Sequence, residues 1–281
     1  FDGVDYTGHG LTLQAYGAED NFSKAVAGSG GVFAGAVAGV GFTTTSISNT
    51  KVNVSDSTEI KLGAISGKGG SGILNVTAEH IAKFDGELIA ASGGMLSGSG
   101  ADVRHTITAD VDVNLGDGLL TTNNLLIQAT DINVSASNHA QKDRQPSKGN
   151  IYAFAIGLAG ASGAYSTTEL DFATVITIAD DANLTATSDN EADGITISAL
   201  NNLSIYDKVS LNAYGALAGT GATVKVYDNQ LLAQVSVGKR AELTSSGDIN
   251  ISARGNGTVV TNLESDSGGA ITVTVTDNSV N

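Results

Sequence analysis

Five copies of one short pattern, apolar–x–apolar–x–Ala, recur along the chain. They are Leu11-Thr12-Leu13-Gln14-Ala15, Leu74-Asn75-Val76-Thr77-Ala78, Ile132-Asn133-Val134-Ser135-Ala136, Ile195-Thr196-Ile197-Ser198-Ala199 and Ile249-Asn250-Ile251-Ser252-Ala253. Their alanines are 63, 58, 63 and 54 residues apart. An internal repeat of this length constrains the architecture before any single motif does. Each unit carries an apolar face that it can hide only against its neighbours. The chain is therefore expected to be one segment of a stack.

Each unit has two parts. A run of small residues leads into a Val/Thr-rich strand, as in 25–48, 88–114, 152–178 and 211–237. A glycine step sits in each run: Gly39 and Gly41, Gly98 and Gly100, Gly160 and Gly163, Gly219 and Gly221. A polar turn, a short strand, a second turn and the Ala-ending strand follow. The turns are rich in Asn, Asp and Gly, as in Asp180-Asp181-Ala182-Asn183 and Ser245-Ser246-Gly247-Asp248, residue types suited to tight reversals. Alternation with period two is clear at Val52/Val54, Val111/Val113, Ile176/Ile178 and Val235/Val237, the mark of a strand with one buried face. No helical period of adequate length occurs. The expected fold is all-β, a parallel β-helix (β-solenoid) built from repeats of about 60 residues. Its units are 1–24 (partial), 25–87, 88–150, 151–210, 211–265 and 266–281 (partial). Two or three rungs of roughly 20–30 residues per unit, stacked about 4.8 Å apart, would make a rod of the order of 50 Å.

Two stretches break the pattern. Gln141 to Asn150 holds the only proline, Pro146, and the densest charge. Lys61 to Ser71 includes Gly67-Lys68-Gly69-Gly70. Both read as loops leaving the stack, where function concentrates. Lys142, Asp143, Arg144, Gln145 and Lys148 are the binding-loop candidates.

The net charge is −15. That field repels phosphate backbones and anionic membranes, so nucleic acid is excluded as a partner and no stable membrane insertion is expected. The uncharged run 25–42 has small-x-x-x-small spacing, but its equivalents recur in strand register, so it reads as a buried strand. Cations, neutral glycans and proteins suit the surface better. There is no cysteine, which fits a chain exported unfolded. Gly268-Gly269-Ala270-Ile271-Thr272-Val273 begins a further unit, so an internal segment of a longer polypeptide is expected.

The stretch from Leu217-Ala218-Gly219-Thr220-Gly221-Ala222-Thr223-Val224 through Gly247-Asp248-Ile249-Asn250-Ile251-Ser252-Ala253 resembles the repeats of large exoproteins of the filamentous haemagglutinin and leukotoxin type, secreted by the two-partner (type V) route. The resemblance extends over nearly the whole chain. It implies a right-handed coil, a secreted or surface-held bacterial fibre, and adhesion or, in some members, toxicity. It brings no catalytic motif.

Candidate chemistry is sparse. Asp110, Asp112 and Asn114 share a strand face, with Asp117 following, and Asp180 and Asp181 form an acidic turn. Oxygen ligands gathered in this way would suit calcium, although alternating acids are also an ordinary solvent face. No other cofactor is expected. Asp102, Arg104 and His105 are the nearest approach to a catalytic cluster, and the four arginines are scattered. His80 and His139 each follow an Ala-ending strand and read as solvated corners.

The expected function is non-enzymatic. The chain would be a structural and adhesive rod segment of a large secreted exoprotein, attaching to host-cell or bacterial surface glycans and proteins, or to biofilm matrix. One alternative is a segment of a secreted leukotoxin-like cytotoxin. Another is a β-helical polysaccharide-active enzyme, since parallel β-helices include such proteins.

Overall fold

A computed structural model describes residues 1–63, 72–117, 124–142, 150–187 and 194–280. The described residues are all-β. The elements run in five successive layers, each a short strand followed by a long one or its pieces. The first holds β1 (Asp5–Gly8) and β2 (Gly10–Val54), the second β3 (Glu59–Leu62) and β4 (Ile73–Leu115). The third holds β5 (Leu126–Ala129), β6 (Asp131–Lys142), β7 (Ile151–Ile156) and β8 (Ala159–Ile178). The fourth holds β9 (Asn183–Ala186), β10 (Ile195–Tyr214) and β11 (Leu217–Val237). The fifth holds β12 (Glu242–Ser245), β13 (Ile249–Gly268) and β14 (Ile271–Val280).

The short strands form one sheet, β1-β3-β5-β9-β12, and the long ones the other. Among the described residues every strand pairing is parallel, and paired residues lie one whole repeat apart, with register shifts at Gly31/Gly35 and Asp228/Gln230. Ala15 faces Ala78, Ala78 faces Ala136, Ala136 faces Ala199 and Ala199 faces Ala253. The repeat seen in the sequence is thus the stacking unit, and one unit makes one layer. This corrects the expectation of two or three rungs per unit. The offset between paired residues is never near 20–30: Asp5 opposes Glu59 and Leu126 opposes Asn183. Five layers at about 4.8 Å spacing rise only about 20 Å, less than half the expected 50 Å.

The missing height is spent on breadth. β4 does not stop at its middle but folds back upon itself. Ala82 and Phe84 on its outgoing limb pack in one cluster with Ile107 and Ala109 on its returning limb. Further out, Leu88 packs with Ala101 and Val103. Each layer therefore has a three-sided head and a flat arm. In the head, Ile60 and Leu62, then Leu74, Val76 and Ala78, then Val111, Val113 and Leu115 enclose one core. From Ile73 to Met95 the outgoing limb is about 70 Å of extended chain.

Columns of like residues fill the interior. Leu74, Ile132 and Ile195 stack in the head, all fully buried. Burying one such side chain stabilises the fold by about 2 kcal/mol. At the neck between head and arm the inward column changes to His80, Asn138 and Asn201. Asn138 Nδ2 donates to the Ala109 carbonyl and Asn201 Nδ2 to the Leu232 carbonyl, each at 2.8 Å. His80 Nδ1 lies 3.1 Å from Asn138 Oδ1. These polar side chains tie the outgoing limb to the returning one where the sheets converge.

The acidic turn at 179–182 forms as expected. The Ala182 amide reaches the Ala179 carbonyl, and Asp181 takes a φ of 58°. Ser57 and Arg240 occupy the left-handed region at the equivalent corners. At the far end of the arm another column is set by close approach. A Cβ on Gly157 would lie 2.1 Å from the Gly94 carbonyl oxygen, and one on Gly215 would lie 2.3 Å from that of Gly157. A Cβ on Gly269 would lie 2.0 Å from the Gly215 oxygen. No side chain fits between these turns. By contrast, a Cβ on Gly39 or Gly100 meets nothing within 4 Å. Gly157→Ala and Gly215→Ala should each cost about 1–3 kcal/mol in urea unfolding through forced backbone shifts. Gly100→Ala should stay within about 0.5 kcal/mol of the parent.

Candidate functional site

The acidic residues singled out for calcium are distributed along the stack, and the carboxylates of Asp112, Asp180 and Asp181 are engaged by neighbouring layers. Lys51 Nζ lies 2.8 Å from Asp112 Oδ2, so an ammonium already neutralises that carboxylate. Its hydrogen bond to Asp112 raises the Lys51 pKa. Burial pushes the Asp110 carboxyl up, with Asp112 and Asp171 adding to it and Lys51 opposing. Asp117 is exposed, and its amide donates to Asp56 Oδ1 at 3.1 Å. Asp180 Oδ1 accepts from the Lys239 amide at 2.7 Å. Asp181 receives Arg240 in two hydrogen bonds of 2.6 and 2.5 Å, which hold its carboxyl below the usual range. A basic turn thus stacks on an acidic one. Among the described residues, no three His, Asp or Glu side chains gather as a metal site.

Of the binding-loop candidates, Asp143, Arg144, Gln145 and Lys148 lie outside the described residues, as does 64–71 of the second loop. Lys142 is a correction. It closes β6 and faces inward, with none of its surface exposed. Its ammonium lies 2.8 Å from Asp207 Oδ2 and 3.1 Å from Thr168 Oγ1, and Ser166 Oγ donates to the same Asp207 oxygen. The strand period put it there. Phe84 and Ile205 are its neighbours in the column, both core residues. Counted on in steps of two from Ala136, Lys142 falls on the buried face, the signal that its charge obscured.

The histidine reading also changes. His80 aligns with Asn138, whereas His139 aligns with Ile81. The two histidines therefore occupy opposite faces. His80 is buried with Nε2 3.1 Å from Glu19 Oε1, and His139 is half-buried. His105 is buried between Phe42 and Phe84, at ring-centroid distances of 5.8 and 5.3 Å. Neither of its ring nitrogens has a hydrogen-bond partner. Asp102 and Arg104 point outward and touch at 3.5 Å, so the strand pleat separates them from His105 and no catalytic trio forms.

The surface that does assemble is on the arm. Residues 25–50, 88–101, 151–168 and 209–224 contain no charged side chain. Stacked in register, these runs make the outer part of the arm charge-free through four layers. On its outgoing face Tyr152 and Phe154 lie parallel, 6.5 Å apart with 8° between planes, and Tyr214 lies 6.1 Å from Phe154. Asn212 donates to the Tyr152 hydroxyl at 3.2 Å and Tyr214 donates to Asp266 at 2.6 Å. The rings thus form a row bordered by polar groups. On the returning face a groove of about 480 Å³ crosses the layers, lined by Leu96, Gly98, Ala161, Leu217, Gly219 and Val273 among others. Its floor is flat because the column Gly98, Ala161, Gly219 carries almost no side chain. The sequence held this signal as uncharged runs at repeat spacing, yet single-residue motifs do not reveal it.

The polar interior generates two expectations. Burial, with the charge of Lys142 adding to it, lowers the His105 pKa to about 2. The folded state keeps the ring neutral while the unfolded chain protonates it near 6.5. Stability is then whole above pH 6.5 and falls as pH drops toward 2. At pH 5 the loss is about 2 kcal/mol, and His105→Leu should flatten that slope in urea titrations run from pH 7 to 4. Lys142→Met should cost about 3–5 kcal/mol because Asp207 is left buried without its cation. The double variant Lys142→Met/Asp207→Leu should recover most of that loss. No protein-family model, curated protein or solved structure matches this chain.

Proposed function

We propose that the chain is a right-handed parallel β-solenoid segment of a large secreted or surface-held bacterial exoprotein, and that it is an adhesive element without catalytic activity. The observation that carries the adhesive part is the ratio of breadth to height. A whole repeat of about 60 residues adds only about 4.8 Å along the stack. Such a layer is inefficient as a spacer and productive as a lateral surface. Parallel pairing of equivalent residues supports the solenoid reading. The resemblance to the repeats of two-partner exoproteins supports the handedness and the location.

The partner proposed is a neutral glycan of a cell surface or biofilm matrix. The row Tyr152, Phe154 and Tyr214 offers ring faces for the apolar side of a sugar. Asn212 and Asp266 lie beside the rings and can direct its hydroxyls. A neutral ligand meets no repulsion from the acidic body of the chain. Binding to an array of neutral glycans and matrix polymers, with and without calcium, tests the reading. Saturable binding that falls about tenfold in Phe154→Ala is expected, on the scale of one lost ring contact of about 1.4 kcal/mol. Absence of saturable binding across the array would remove the adhesive reading and leave a scaffold.

A further inference from the structure

The far edge of the arm is aliphatic as well as uncharged. Met95 and Leu96 in the second layer, Ile156 and Leu158 in the third and Leu217 in the fourth are 46%, 60%, 50%, 60% and 51% exposed. They stand at or beside the turns where the outgoing limb reverses. Register puts Leu96, Ala159 and Leu217 in one column, while Ile156 aligns with Gly93 and Tyr214, so Met95, Ile156 and Leu158 lie beside that column within three residues of it. The result is a continuous apolar ridge along the stack, with successive layers about 4.8 Å apart. Exposed apolar residues scattered singly need no explanation, but a contiguous ridge marks a contact surface.

Three further features bear on what it contacts. The nearest charges along the second layer are Glu87 and Asp102, and along the third Glu169, so the ridge itself is free of charge. Tyr152 and Tyr214 flank it on the outgoing face and Tyr165, 59% exposed, on the returning face. Tyr214, beside the turn, places a phenol ring just behind the aliphatic edge, the arrangement favoured at the boundary between lipid tails and headgroups, and Tyr152 and Tyr165 stand about 20 Å of extended chain further back. Beyond the rings come the acids that give the chain its charge of −15. An edge ordered as aliphatic, phenolic, then acidic matches the polarity gradient of a bilayer surface.

We propose that this ridge docks peripherally on an electrically neutral lipid surface, seating the turn residues among the upper acyl chains. The contact is interfacial, not spanning, and the acidic head stays in water. The ridge residues themselves carry no charge, and the carboxylate on their flank, Asp266, is engaged by the Tyr214 hydroxyl. The glycan reading uses Tyr152 and Tyr214 as well, but the two tests are separate: the residues altered here are Leu96, Leu158 and Leu217, not Phe154.

The chain has no tryptophan, so Leu158→Trp provides a single indole at the ridge. With zwitterionic phosphatidylcholine vesicles, its emission should shift to the blue and be quenched by brominated acyl chains. The variant Leu96→Asp/Leu158→Asp/Leu217→Asp alters half-exposed positions and should keep its circular dichroism. Its partition onto the same vesicles should fall about tenfold or more, since apolar burial supplies the affinity. Ile47→Asp, at an exposed position on the returning limb away from the turns, should partition like the parent. Phosphatidylglycerol vesicles should bind more weakly. An unshifted indole, equal partition by the ridge variant, or stronger binding to the anionic vesicles would overturn the proposal. So would sedimentation showing a lipid-free dimer that the ridge variant dissolves, since the ridge would then join two copies of the chain.

Discussion

In-register parallel pairing is the constraint on which the rest of this structure depends. Along the paired strands of the described residues, backbone groups bond to the residues flanking their equivalents one repeat away, so each side chain stands beside its own counterparts. A column must then be compatible with itself. Aliphatic columns satisfy this through dispersion and burial, as Leu74, Ile132 and Ile195 do. Like charges in adjacent layers repel, yet Asp56, Asp117 and Asp180 follow one another at the corner, where the Asp117 amide donates to Asp56, and basic residues enter only in the layer after that. Asp180 and Asp181 of one turn receive Lys239 and Arg240 of the next.

Where the column rule is broken, the break is local and has a partner. Lys142, an isolated cation in an apolar column, pairs with Ile205 and follows Gln141, the partner of Lys83, which places it beside Phe84. Its desolvation would cost several kcal/mol without Asp207 from the next layer and the hydroxyls of Thr168 and Ser166. The same layer also carries the extra length between Lys142 and Ile151, where the second layer passes from Phe84 to Leu88. His105 is a second break. Its ring packs between phenylalanines but makes no hydrogen bond.

The arm also separates the two surfaces of interest from the body of the protein. Charges gather at the head and the near part of the arm, and the far part is neutral through four layers. A row of aromatic rings lies on one face of that neutral region and an aliphatic ridge along its edge. Both arise because a repeat places the same small or apolar residue at the same point of each layer, which converts modest single-residue exposure into extended surfaces.

The sequence by itself determined the repeat, its length and the strand character of the chain. That the five alanines pair directly was not settled there, since two or three shorter rungs per unit would have put other strands between them; the pairing of equivalents was decided by the tertiary structure. The polar turn at 179–182 was legible in the sequence: its residue types have few other conformations to adopt. Tertiary structure decided how far each layer extends before it turns back. Alternation reads identically whether a strand runs straight, bends around a head or reverses at a distant turn, so the rung count inferred from spacing was too high. It decided, too, which side of the sheet each charged residue faces. Lys142 looked like a loop residue because charge usually means solvent, and His139 looked equivalent to His80 although a one-residue difference puts them on opposite faces. Orientation is a property of register, and register becomes definite only when the layers are in contact.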